Sequence, residues 1–284
     1  MEPFIRVNIN NEDPARYELT TWQDNHIAIR AGFTGRSGGL GSGSFESFNL
    51  ALHVGDDPDT VIANRKRLAE ALEFSFDQWT CGEQVHSHRV ALVSASDAGR
   101  GRIDRTDAFQ GTDGLLTDEP GVLLTSFYAD CVPLYFWDPV RSVVGLAHAG
   151  WKGTVQNIAG EMVRTMKSEY GCKEANIHAA IGPSIGACCY EVDETVMGQV
   201  RACLVPDLHL EQLDKVAEPS HTPDKSKLDL KELNRILMRK AGILPSHIEC
   251  SRWCTSCHSD RFFSYRKENG VTGRMASWIG MKER

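Results

Sequence analysis

The stretch Val143-Val144-Gly145-Leu146-Ala147-His148-Ala149-Gly150-Trp151-Lys152-Gly153 carries the reading of the fold. Its first half is apolar and uncharged, the composition of a strand covered on both faces. Glycines then interrupt it, and Val155, Ile158, Met162 and Met166 follow at helical spacing. A strand that enters a helix through a glycine turn leaves His148 at the strand exit, where a ligand can approach the backbone.

Upstream, residues 122–128 and 133–137 read as two further strands, and 142–148 as the third. Asp130-Cys131-Val132-Pro133 lies where one strand ends and the next begins, a position that lines sites. Before them, Glu83-Gln84-Val85-His86-Ser87-His88 precedes another β-like run and supplies two imidazoles. On a strand, His88 shares a face with His86 and orients it. Downstream, strands are expected at 177–181, 248–250, 262–265 and 275–279. Asp57-Pro58 opens a helix with Val61, Arg65, Leu68 and Leu72 on one stripe; Val196, Val200 and Leu204 mark another. Asp229, Leu230, Leu233 and Leu237 mark the last, stopped by Gly242. Strands outnumber helices without strict alternation, which predicts an α+β fold with layered mixed sheets rather than a doubly wound parallel one. The Gly/Ser segment 35–44 follows a short apolar run at 26–33 and is expected to be a loop inside a domain, since too little chain precedes it to form another.

The chain has 284 residues, 41% apolar and 24% charged, which predicts one globular domain over 1–284. A net charge of -7 without clustered Lys and Arg argues against nucleic acid and for a small-molecule partner. Neither a signal peptide nor a membrane-spanning apolar run is present, so a cytoplasmic location without a membrane partner is expected. Nine cysteines are then thiols, ligands or nucleophiles rather than a disulfide framework. Cys188-Cys189 and Cys254-Thr255-Ser256-Cys257, with Cys250 and His258 nearby in sequence, could build a structural zinc module; a redox pair or simple packing is the plainer reading. His86, Cys131 and His148 are too dispersed to match a compact metal finger, and spacing alone leaves them unassigned.

Several segments resemble the YfiH/YlmD family, also called laccase-domain proteins. They are Phe48-Asn49-Leu50, His53-Val54-Gly55-Asp56-Asp57-Pro58, Glu83-Gln84-Val85-His86, Ala129-Asp130-Cys131-Val132-Pro133 and Gly145-Leu146-Ala147-His148-Ala149-Gly150-Trp151. Ile181-Gly182-Pro183, Cys188-Cys189-Tyr190-Glu191-Val192, Cys254-Thr255-Ser256-Cys257, Phe262-Phe263-Ser264-Tyr265-Arg266 and Thr272-Gly273-Arg274-Met275 continue the likeness to the C-terminal side. The resemblance implies a four-layer α/β/β/α sandwich and a zinc held by His86, Cys131 and His148, with one coordination position open. It implies phosphorolysis of purine nucleosides (adenosine, inosine and methylthioadenosine) to the base and ribose 1-phosphate, and deamination of adenosine by zinc-activated water. Phosphate needs a cradle, for which Arg36, Asn49, Lys152 and Arg266 are the candidates.

Two rival chemistries stand beside this one. Copper in the same ligands fits the family's older label, a polyphenol oxidase or laccase. A multicopper oxidase, however, draws on many His-x-His pairs, whereas the 10 histidines here include only His86-Ser87-His88 in that form. Alternatively, Cys131 is a nucleophile with His148 as base and Asp130 nearby, giving a cysteine hydrolase or amidase for cell-wall precursors. Ser87-His88 and Lys152 depart from the family's commoner Gly and Arg, and Ser184 from its Cys; these changes leave the ligands and alter their surroundings. Oligomeric state is not legible from periodicity.

Overall fold

The computed structural model describes residues 1–7, 13–25, 28–204 and 213–283. Strands and helices are numbered in chain order. One six-stranded sheet orders β1 (Phe4–Arg6), β2 (Arg16–Leu19), β3 (Ile29–Thr34), β15 (Met275–Met281), β7 (Leu123–Tyr128) and β4 (Trp79–Cys81). The other orders β14 (Ile248–Cys250), β10 (His178–Ile181), β8 (Val132–Asp138), β9 (Val143–Ala149), β6 (Gly114–Thr117) and β5 (Val90–Leu92). Both are mixed: β4 pairs parallel with β7, β14 with β10 and β5 with β6, and the other pairs are antiparallel. A third, antiparallel sheet holds β11 (Glu191–Asp193), β13 (Lys225–Leu228) and β12 (Ala217–Pro219). The helices are α1 (Thr20–Asn25), α2 (Pro58–Ala71), α3 (Trp151–Val155), α4 (Ile158–Tyr170), α5 (Glu194–Leu204), α6 (Leu213–Val216) and α7 (Leu230–Lys240).

Period-two alternation in the central strands explains the layering. In β8, Val132, Leu134 and Phe136 turn outward to meet Ile158 and Met162 of α4 and Leu233 and Leu237 of α7. Tyr135 and Trp137 turn inward, to a seam that holds Phe33, Tyr128, Met275 and Ile279 of the facing sheet. The far face of that sheet buries Trp79, Phe127 and Trp278 against Leu68 and Ala69 of α2. Helix, sheet, sheet and helices thus stack as four layers around three apolar seams. Each fully buried side chain such as Phe136 contributes about 1.5–3 kcal/mol. No helix among the described residues is long and apolar enough to cross a membrane.

The expected helix at 58–72 is α2, with the Asp57 side chain accepting from the Thr60 amide at 2.8 Å and Pro58 in the first turn. Asp229 caps α7 through the Glu232 amide in the same way, and Gly242 follows its end at φ 100°. The helix expected after Gly150 is instead two helices. Asn157 sits at φ 62°, ends α3 and starts α4 by capping the Gly160 amide. Residues 262–265 are not a strand. The Glu268 carboxylate accepts from the Ser264 amide and Thr272 hydroxyl and folds this segment into turns. His26 and Ile27 lie outside the described residues, and their apolar run continues into β3 from Ile29. Residues 35–44 are a loop ending in a short 3-10 turn.

Candidate metal centre and its cleft

Register brings the candidates together. In the β8–β9 hairpin Val132 lies opposite Ala149, so Cys131 and Gly150 meet at the hairpin's open end. In the β6–β9 pair Gly114 lies opposite Ala147, which carries Asp113 alongside His148. The His148 amide donates to the Asp113 carbonyl at 2.8 Å, and its Nδ1 meets Asp113 Oδ1 at 2.8 Å. Alternation points the His148 ring inward with Val144 and Leu146, tilted by 54° to the Tyr128 ring with centres 5.3 Å apart.

His86 reaches the same point from a loop. Gln84 pins that loop by pairing its side-chain amide with both backbone groups of Phe127, each bond 2.8 Å long. His86 itself sits at φ 62°, a left-handed conformation that costs about 1–3 kcal/mol and persists only when its surroundings impose it. Asp113 imposes it. Its carboxylate accepts from the amides of Val85, His86 and Ser87 at 3.2, 3.0 and 2.8 Å and from the Ser87 hydroxyl at 2.9 Å. Residues 83–89 therefore form a loop that precedes β5, so His88 shares no strand face with His86 and does not orient it; its Nδ1 instead meets Gln156 Oε1 at 2.8 Å.

Asp130 performs a similar task for Cys131. It stands at φ 83°, and its carboxylate accepts from the Thr255 hydroxyl at 2.6 Å, the Ser264 hydroxyl at 3.0 Å and the Arg266 amide at 2.7 Å. Those bonds make Asp130 a positioning group that holds the β8 entry, not the partner of a Cys131 nucleophile. Gly150 completes the centre by leaving space. A Cβ there would stand 2.7 Å from His86 Cδ2 and 3.2 Å from the Cys131 sulfur.

The donor atoms of His86, Cys131 and His148 all lie within 4.8 Å of one another, with Cys131 Sγ 3.9 Å from His86 Nε2. Burial opposes ionisation of Cys131, yet His148 and then His86 outweigh it and bring the thiol down to about 6. Burial likewise opposes protonation of His148, but the charges of Cys131 and Asp113 raise it to about 9. For Asp113 burial also acts against the charge, and the bonds from His148 and Ser87 hold its carboxyl below the usual range. A cation that displaces the imidazolium proton thus meets a thiolate already formed. Two imidazoles and one thiolate suit zinc or copper, and Asp113 on the far nitrogen of His148 is the outer partner such ligands use to fix their tautomer.

A cleft of about 520 Å³ opens over these three residues, within the size range of small-ligand sites. Lys152, Arg266 and Arg274 line it, together with the aromatic rings of Phe127, Trp151, Tyr190 and Tyr265. Arg266 donates to the Glu191 carbonyl and lies over Tyr190; Arg274 donates to the carbonyls of Thr272 and Gly273. None of the three cations is ion-paired among the described residues. His53, at the rim, is kept neutral by desolvation and the guanidinium groups of Arg274, Arg105 and Arg65, which bring it down to about 4.

Two expected cradle residues lie elsewhere. Arg36 does not line the cleft; its guanidinium is ion-paired to Glu268 at 3.0 Å, donates to the Ser259 carbonyl and covers Phe263. Asn49 is fully buried, its Oδ1 accepting from the amides of Ala51 and Arg274 and its Nδ2 donating to Asp56. It positions Arg274 rather than a ligand. Arg274 and Asp113 are the residues that sequence reasoning left without a role, although Arg274 sits inside a quoted motif.

Residues 30–282 match the family model described as multi-copper polyphenol oxidoreductase laccase. Purine nucleoside phosphorylase YlmD of Geobacillus stearothermophilus is 47% identical over 253 residues, covering 89% of this chain and 90% of that protein. Purine nucleoside phosphorylase YlmD of Bacillus subtilis is 41% identical over 274 residues, covering 95% and 96%. The crystal structure of the Bacillus licheniformis hypothetical protein YfiH superposes with a TM-score of 0.90 at 41% identity, covering 99% of this chain and 100% of that one. Motifs, layers and overall likeness agree, and the chain belongs to the laccase-domain family of YfiH and YlmD.

Proposed function

We propose that this chain is a zinc-dependent purine nucleoside phosphorylase that also deaminates adenosine. The observation that carries the reading is a cleft in which two imidazoles and a thiolate converge beneath three cations that have no carboxylate partner. Relatives at 41–47% identity bear the phosphorylase name, which supports purine nucleosides and phosphate as this chain's substrates. Residues from 53 to 274 contribute to this one cleft, which supports a single catalytic unit.

The ion, held by His86, Cys131 and His148, supplies Lewis-acid chemistry when bound. The chain's own groups do the rest. Arg266 and Arg274, as planar donors, and Lys152, as a point charge, hold phosphate oxygens beside the ribose. Tyr190, Tyr265 and Trp151 offer ring faces to a purine. His53, neutral at physiological pH, can donate or accept a hydrogen bond without repelling the neighbouring cations. Asp113 keeps the His148 proton on Nδ1, so that the lone pair of Nε2 is free for a cation.

One observation favours a second reading: the thiolate and imidazolium character of Cys131 and His148 also suits a nucleophilic cysteine hydrolase. Mass spectrometry of products from adenosine and phosphate, with and without chelator, separates the two. Adenine with ribose 1-phosphate identifies phosphorolysis, inosine identifies deamination, and both are expected to disappear with chelator and in Cys131→Ala or His148→Ala. Undiminished turnover in either variant rejects the reading, and activity that survives chelation favours the hydrolase.

A further inference from the structure

Four cysteines, none of them lining the cleft, meet in a cluster separate from the three donors described above. Cys188 and Cys189 come from the turn before β11, and Cys254 and Cys257 from the loop after β14. Their sulfurs all lie within 4.8 Å of one another, with Cys257 Sγ 3.4 Å from both Cys188 and Cys189. A disulfide needs about 2.05 Å, whereas four thiolates around zinc at about 2.3 Å stand roughly 3.8 Å apart. All four are free thiols. Cys254 is buried, and its sulfur accepts from the Gly186 amide at 3.2 Å, which fixes its direction within the cluster. Cys250, the neighbour in sequence, turns its sulfur to the Ser251 carbonyl and takes no part.

From this geometry we propose a second metal site, a closed four-cysteine zinc held by Cys188, Cys189, Cys254 and Cys257 with a structural role. Four thiolates complete the tetrahedron, so no position is left for substrate. The site clamps two loops that build the cleft. Residues 184 and 254 already form a bridge pair, and the Ile185 amide donates to the Asp130 carbonyl. Tyr190, which faces the cleft and supports Arg266, follows Cys189 directly, while Thr255, which fixes Asp130, follows Cys254. Binding releases the thiol protons to solvent and needs no oxidant.

The Cys131→Ala/His148→Ala double variant removes the first set of donors and isolates this one. Expressed with zinc and freed of loose metal by gel filtration, it is expected to carry one zinc per chain, and the wild type two. X-ray absorption of the variant should show four sulfurs at about 2.3 Å and no imidazole. Adding Cys257→Ser should release that zinc. If the double variant does not fold, Cys257→Ser in the wild type decides, because it should lower the zinc count by one while leaving the His86, Cys131 and His148 donors in place. The proposal is overturned by a metal-free double variant, by iron in place of zinc, by a Cys257→Ser protein that keeps as much zinc as its parent, or by peptide mapping that finds any two of these cysteines joined. Nucleoside turnover plays no part in these readouts, so they stand apart from the phosphorylase reading.

Discussion

Replacing Asp113 by asparagine keeps the shape of the side chain and removes the charge that organises the candidate metal centre. Oδ2 accepts from the Val85 amide, the Ser87 amide and the Ser87 hydroxyl, while Oδ1 accepts from the His86 amide and meets His148 Nδ1. An asparagine must put its NH2 on one side or the other. On the Oδ2 side it confronts two backbone donors, and losing both bonds with those donors left in place costs about 3–5 kcal/mol. On the Oδ1 side it donates to His148 Nδ1 and drives the imidazole proton to Nε2, the nitrogen that faces Cys131. Either orientation also breaks at least one of the backbone bonds that hold residues 85–87 around the left-handed His86. The expected outcome is an unfolding free energy lower by about 3–5 kcal/mol and a zinc affinity weaker by about 10–100-fold. Urea titration of the metal-free protein and competition with a chromophoric chelator measure the two separately. An Asp113→Asn protein within about 0.5 kcal/mol of wild type that binds zinc within about twofold refutes the argument that this carboxylate holds both histidines.

Further consequences follow from the same geometry. Gly150→Ala keeps an ordinary backbone at φ -68°, but its methyl crowds His86 and Cys131; zinc affinity and turnover should fall at least about tenfold with little change in melting temperature, and a fully active variant contradicts the crowding. In chelator-stripped protein, Cys131 is a thiolate above its depressed pKa, so its alkylation by iodoacetamide should be half-maximal near pH 6 and be blocked by zinc; a profile centred near about 8.5 removes the basis for a preformed thiolate. Lys152→Ala and Arg274→Ala should each raise the KM for phosphate about tenfold, the loss of one charged hydrogen bond. Arg36→Ala should lower stability, through its Glu268 pair, and leave that KM unchanged; the reverse pattern would return Arg36 to the cradle.

How far the residues disclosed this arrangement depends on the range of the interaction that fixes each part. The α2 and α7 boundaries were legible because Asp57 and Asp229 cap within three residues of themselves, and a local bond leaves a local signature. The central strands were legible for a similar reason, since doubly covered β8 and β9 need uninterrupted apolar runs. The division of α3 from α4 was not, because Asn157 in a left-handed conformation reads like any other polar helix residue. Residues 262–265 have a strand's composition, but Glu268 and Asp130 claim their backbone and hydroxyl groups from other parts of the chain. The three donors were named through resemblance, not spacing, because a β8–β9–β6 register that aligns Cys131, His148 and Asp113 is a long-range property. Arg36 and Arg274 show the same limit in reverse. Both are arginines in glycine-containing loops, and only tertiary placement decides that one braces Glu268 while the other faces the cleft.

The family description names copper and phenol oxidation, the relatives' names a phosphorylase, and the donor set alone does not separate them, since two histidines and a cysteine also form the core of a blue-copper centre. The surroundings favour the phosphorylase reading. Electron transfer from several coppers needs clustered imidazoles, whereas among the described residues His88 meets Gln156, His178 stacks on His247 at 4.1 Å and His258 lies against Trp253. His53 approaches the cleft, yet it stands among guanidinium groups that disfavour a further cation. A wall of Lys152, Arg266 and Arg274 gives nothing to a neutral phenol and favours an anionic co-substrate. Phosphate should therefore bind the metal-free protein with an affinity that falls as ionic strength rises, and should slow modification of Arg266 and Arg274 by phenylglyoxal, whereas a phenol should do neither. A cleft that takes up the phenol and ignores phosphate would instead restore the oxidase reading, because its cations would then have no anion to hold.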